Sequence, residues 1–111
     1  FVRACDAGAV LGKEIMRMGA KGFIGYIQPF MFPIDKDYFN KPLEDKLAAP
    51  VLECSNQVGL SLIKGSSAEQ AQKDSLDKYA EAIDKYSSSE ATNSFLLPFL
   101  LWNRTCQVCY R

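Results

Sequence analysis

The sequence predicts an α/β chain, a three-layer α/β/α arrangement with a mostly parallel sheet, and two observations carry that expectation. A short apolar run, a helical pattern and a second short apolar run follow one another within the first 27 residues. The remainder then strings helical periodicities together with Gly, Ser and Pro breaks. Two strands joined by a helix of this length are expected to be parallel with a right-handed crossover, in a sheet covered on both faces.

Phe1 to Cys5 is expected to end a buried strand, and Asp6-Ala7-Gly8 gives a turn with Asp6 positioned as a helix cap. Val10, Leu11, Ile15, Met16 and Met18 fall at helical spacings, so a helix is expected over residues 8 to 18, stopped by Gly19. Lys21 to Ile27 is rich in aromatic and β-branched residues and reads as the second strand. Gln28 to Phe39 holds too many prolines for a regular element and too many aromatics for a solvated loop, so it is expected to pack. A helix is expected from Lys41 to Lys64, bent or split at Pro50 and ended by Gly65. Ser66 and Ser67 have Glu69 and Gln70 three residues on, the capping-box spacing, and open a helix running to about Tyr86. Its Ala68, Ala71, Leu76, Tyr79, Ala80 and Ile83 make one apolar face. Glu90 to Leu101 reads as a buried helix interrupted by Pro98, Trp102-Asn103-Arg104 as a turn, and Thr105 to Tyr110 as a last strand.

At 111 residues, 48% of them hydrophobic, the chain is one domain at most. Its 13 basic and 13 acidic residues cancel, so no field draws nucleic acid or an acidic membrane, and the longest apolar stretch, Phe95 to Trp102, is far short of a span. No histidine is present, which excludes a Ser-His-Asp triad, a Cys-His dyad or His-ligated zinc built from these residues alone. The opening Phe1-Val2-Arg3-Ala4 lacks an initiator Met and a leader pattern and reads as cut from something longer.

Cys5 is the candidate nucleophile, because the expected strand end and helix N-terminus would stabilise a thiolate and supply amides to an oxyanion. Against it stand the adjacent negative Asp6 and the common role of a lone cysteine as a small buried hydrophobe. Gly8 to Lys13 imitates a phosphate loop but has three residues between its glycines and Glu14 after the lysine, so close packing at Gly8 and Gly12 is the better reading. Cys106 and Cys109 on a strand would point to opposite faces; they and Cys54 read as structural, and four unpaired cysteines suggest a reducing, cytoplasmic compartment. No metal or cofactor is expected. The Tyr26 to Phe39 segment reads first as core, with Tyr26, Gln28, Phe30, Asp35 and Asp37 as a candidate substrate pocket.

Arg-Ala-Cys-Asp-Ala-Gly at 3 to 8, followed by Gly19-Ala20-Lys21-Gly22-Phe23-Ile24-Gly25-Tyr26, resembles the nucleophile region of caspase-like cysteine peptidases, especially bacterial CHAT-type domains. Ala4, Cys5 and Gly8 match the family's Ala-Cys-x-x-Gly; Leu62 to Ser66 with Glu69 and Ala71, and Leu101-Trp102-Asn103, are similar to its later segments. Asp6 and Ala7 stand where the family commonly has His and Ser, and Arg3 stands where the metacaspase branch favours an acid. The resemblance implies that residues 1–111 are the C-terminal part of one caspase-like α/β domain, incomplete and associating with its missing N-terminal part. It implies peptide-bond hydrolysis of a peptide or protein substrate, with Cys5 as nucleophile, the Cys5 and Gly8 turn at the oxyanion, and a base from outside the chain. The alternative is a non-catalytic α/β scaffold or interaction module, for which the missing base and the amphipathic helix 67 to 86 argue.

Overall fold

The computed structural model describes residues 1–3, 7–38, 40–41, 44–88 and 94–111. Of the described residues 58% are helical, and they carry a two-stranded antiparallel ladder, which overturns the expected three-layer arrangement with a mostly parallel sheet. Helix α1 spans Leu11–Arg17, strand β1 Phe23–Tyr26, helix α2 Ala49–Ile63, helix α3 Ala68–Tyr86, helix α4 Leu97–Cys106 and strand β2 Gln107–Tyr110. Short 3-10 turns cover Lys36–Tyr38 and Ser94–Leu96.

Strand β1 pairs with β2 from Phe23 opposite Tyr110 to Tyr26 opposite Gln107. On its other edge β1 receives the N-terminal segment, the Val2 N–H donating to the Ile24 carbonyl (3.0 Å) and the Gly8 N–H to the Tyr26 carbonyl (2.8 Å). Among the described residues Phe1 to Arg3 adds only the Val2 contact without becoming a ladder strand, and no parallel pair forms.

All four β1 residues are buried because each face of the ladder is covered by something different. The side chains of Ile24 and Tyr26 point toward α2 and α3, where Ile24 clusters with Val58 and Ala71, and Tyr26 with Val51, Tyr79 and Leu100. Phe23 and Gly25 point the other way, under α1: a Cβ at Gly12 would stand 2.5 Å from the Phe23 ring, so the glycine is what lets α1 lie on it. Gly8 is equally confined, with Val108 Cγ2 at 2.8 Å and the Tyr26 backbone at 3.1 Å from its would-be Cβ.

The helix boundaries follow local chemistry. α1 is shorter than expected, because residues 7 to 10 form turns, and Val10 precedes it without a side-chain cap. Gly19 (φ 98°) and Gly65 (φ 94°) terminate α1 and α2 in the left-handed region, each followed by an amide that reaches five residues back: Ala20 to Ile15 and Ser66 to Ser61. Pro50 starts α2 instead of bending it, since its missing N–H costs nothing in the first turn. Pro98 does the same for α4, which then continues through Trp102-Asn103-Arg104 and Thr105, so those residues are helix, not turn and strand. α3 begins as expected: the Ser67 hydroxyl accepts from the Gln70 amide at 3.1 Å. The expected helix start at Glu90 lies outside the described residues.

Candidate functional site

Cys5, the candidate nucleophile, lies outside the described residues, as does Asp6, its expected neighbouring cap. The helix after it starts at Leu11, and the Gly8 N–H is committed to the Tyr26 carbonyl, so this amide is not available to an oxyanion. Cys54, Cys106 and Cys109 are free thiols. Burial, reinforced by nearby Glu53, pushes Cys54 up to about 11, and burial also raises Cys106 and Cys109, so all three are held as thiols. Cys54 Sγ donates to the Pro50 carbonyl, and Cys106 closes α4 while Cys109 lies in β2, a separation that replaces the expected pair on one strand. Among the described residues no three His, Cys, Asp or Glu side chains converge as metal ligands.

The residues of the expected substrate pocket are not gathered around one opening. Tyr26 is fully buried and Phe30 nearly so, both in the core; Gln28 and Asp37 are exposed. Asp35 makes a local turn, its carboxylate accepting from the Asp37 amide at 3.0 Å. Asp45 accepts from the amides of Asp35, Leu47 and Ala48, which holds its carboxyl below the usual carboxylate range and fixes the approach to α2.

Two other constellations do form. The first is a buried polar chain running from α3 to the N-terminal segment. Tyr26 Oη lies 2.9 Å from Tyr79 Oη and 2.9 Å from Ser55 Oγ, and Arg3 Nε donates to Ser55 Oγ at 3.0 Å. Gln107 Nε2 donates to Tyr26 Oη (3.2 Å) and to Ser75 Oγ (3.1 Å), whose proton goes to the Cys54 carbonyl (2.7 Å). With the Ser75 proton committed and that of Tyr26 directed to Ser55, only an amide N–H of Gln107 suits both contacts, and Tyr79 must be the donor to Tyr26. Burial, and then the neighbouring Tyr26, raises the Tyr79 phenol, so it keeps its proton. Gln107 Oε1 is left without a partner among the described residues.

The second is an apolar cleft of about 320 Å³ between the Pro29–Phe32 loop and α4, lined by Pro29, Met31, Pro98, Phe99 and Trp102. Its walls are fixed by side-chain bonds to backbone. Asn103, fully buried, accepts from the Met31 amide (2.8 Å) and donates to the Met31 carbonyl (2.6 Å), and Trp102 Nε1 donates to the Pro29 carbonyl (2.8 Å). Phe30, the loop residue between them, points into the core, its ring 5.0 Å from that of Tyr26. Met31 (47% exposed) and Trp102 (44%) remain open to solvent at the cleft. Sequence reasoning put Trp102 and Asn103 in a turn and gave Met31 no role. The available signal was the spacing of Pro98, Phe99 and Trp102, which shares one helix face once Pro98 is placed in the first turn.

Comparison with protein-family models, with curated proteins and with solved structures finds no match for this chain. No helix among the described residues is long and apolar enough to cross a membrane.

Proposed function

We propose that this chain is a non-catalytic protein-interaction module that receives an apolar side chain of a partner polypeptide in the cleft between the Pro29–Phe32 loop and α4. The observation that carries this reading is a pre-formed apolar opening whose rim residues stay exposed while their backbones are pinned by Asn103 and Trp102. Pre-organisation of this kind lowers the ordering cost of association. The wall is made of proline, methionine and aromatic side chains, types that supply contact area with few buried polar groups. Trp102 is the single tryptophan of the chain and reports directly on occupancy. Peptides selected by display against the protein are expected to share a large apolar anchor, to shift Trp102 emission to the blue, and to lose binding to Met31→Asp. Selected peptides that bind Met31→Asp equally well would overturn the proposal.

A second reading, cysteine-type peptide-bond hydrolysis through Cys5, is favoured by the match of Ala4, Cys5 and Gly8 to the caspase-like nucleophile region. The Cys5 thiolate would bond to the scissile carbonyl carbon, the C–N bond would break with the amine taking the proton held by the base, and water would then cleave the thioester to the acid. The chain has no histidine, so a histidine base for this step would have to be supplied by a second polypeptide segment. Iodoacetamide labelling separates the readings: Cys5 alkylated no faster than Cys54 removes the hydrolase.

A further inference from the structure

We propose that Arg3 is a carboxylate-binding residue, whose outward guanidinium edge receives an acidic side chain of a polypeptide ligand. The inference goes beyond the apolar cleft and stands whether or not that cleft is occupied. Arg3 is half-buried, yet no carboxylate among the described residues lies within ion-pair distance of it; the ion pairs present are Arg17 with Glu14, Lys73 with Asp77 and Arg111 with Glu69. A cation drawn partly out of water with no counter-charge among the described residues is an unfavourable arrangement unless a further carboxylate completes it.

The geometry defines what would complete it. Nε donates to Ser55 Oγ and Nη2 to Asn56 Oδ1, so the side-on fork of the guanidinium is committed to α2. A guanidinium has five N–H donors in a rigid plane, and the end-on pair on Nη1 and Nη2 is the fork left over, spaced for the two oxygens of one carboxylate. The group is also held in place. Its carbon lies 5.3 Å from the Phe30 ring centroid and 5.9 Å from that of Phe1, and Ser55, its hydrogen-bond partner, is itself fixed by Tyr26. Phe1 and Asn56 are exposed, so the open edge borders solvent. Aromatic rings beside the cation lower the local dielectric and strengthen its attraction for an anion, while a freely solvated arginine would have none of these restraints.

The test uses the protein with two blocked peptides, Ala-Ala-Asp-Ala-Ala and its Asn isostere, read by the NMR shifts of the Arg3 Nε–H and the Asn56 side-chain amide. The Asp peptide is expected to bind at least about tenfold more tightly than the Asn peptide, with affinity falling as salt rises. Arg3→Met is expected to abolish that preference, and Asn56→Ala, which keeps the charge but frees the fork, to reduce it several-fold. Thermal unfolding of each variant shows whether it is folded. Equal binding of the two peptides, a preference that survives in folded Arg3→Met, or displacement of the Asp peptide by inorganic phosphate at lower concentration than by acetate would each overturn the assignment.

Discussion

The buried polar chain makes a prediction whose sign depends on position within the chain. Tyr79 is its end: replacing it by Phe removes a donor to Tyr26, but the Tyr26 hydroxyl still donates to Ser55 and accepts from Gln107. No group is orphaned, so the expected loss is one net hydrogen bond, about 0.5–1.5 kcal/mol. Tyr26 is its node. Tyr26→Phe leaves the Tyr79 hydroxyl and one Gln107 N–H without acceptors in a region where Tyr26 and Tyr79 are both fully buried. At about 1–3 kcal/mol for each of the two stranded groups, the single oxygen atom is worth roughly 2–6 kcal/mol, about four times the effect of deleting the same atom from Tyr79. The double variant removes one of the two stranded groups together with its cause, so it should be less destabilised than the sum of the singles by at least about 1–3 kcal/mol, the cost of that group. Urea unfolding followed by circular dichroism, with the slope m unchanged across the four proteins, measures the cycle. Tyr79→Phe as damaging as Tyr26→Phe, or strictly additive singles, would refute the assigned donor order.

Gly12→Ala is expected to destabilise by about 1–3 kcal/mol, because its Cβ would lie within 2.6 Å of the Phe23 ring, whereas Gly59→Ala, in α2 with open space around it, should stabilise by about 0.5–1 kcal/mol in the same unfolding assay. Asp45 is held below its ordinary pKa by amides that favour its charged form, so its contribution is fully present above the unfolded carboxylate range and is lost as pH falls through the lower folded value. Unfolding midpoints of the native protein should therefore drop more steeply on acidification than those of Asp45→Asn, and parallel curves would contradict that role. Cys54, raised to about 11, should react with iodoacetamide at pH 7.5 far more slowly than a small free thiol, with mass-mapped labelling as the readout.

Helix existence was legible in the sequence where local chemistry decides it. Ser67 with Gln70, Gly19 and Gly65 mark boundaries that need no tertiary information, and the structure keeps all three. The fold class was not, and β1 shows why. A short run of uniformly buried apolar residues suits a parallel strand inside a doubly covered sheet, but the same burial arises when α1 covers one face of a two-stranded ladder and the α2–α3 pair covers the other. Composition records only that both faces are dry; strand direction depends on where the chain returns, here through α4 into β2. Pro50 and Pro98 misled for a related reason, since a proline inside a helical pattern is a break or a first-turn residue according to where the preceding turn begins. The cleft depended on pairing Met31 with Asn103 across 72 positions, which no periodicity reveals.

The Pro29–Phe32 strip explains how a surface can be rigid without belonging to a regular element. Three of its backbone groups are bonded by two side chains of α4, Trp102 on the Pro29 carbonyl and Asn103 on both backbone groups of Met31, in place of a neighbouring strand. Within it Phe30 turns inward beneath Arg3 and against Tyr26, while Met31 faces the cleft, so adjacent residues serve the carboxylate edge and the apolar opening from one fixed backbone. The two surfaces are nonetheless held by different bonds: Arg3 by Ser55 and Asn56 of α2, Met31 by Asn103 of α4. Loosening the Asn103 clamp therefore acts on the cleft without removing a bond from the guanidinium, and removing Asn56 does the reverse. A partner that needs both surfaces would lose affinity to either change, and one that needs a single surface to only one of them.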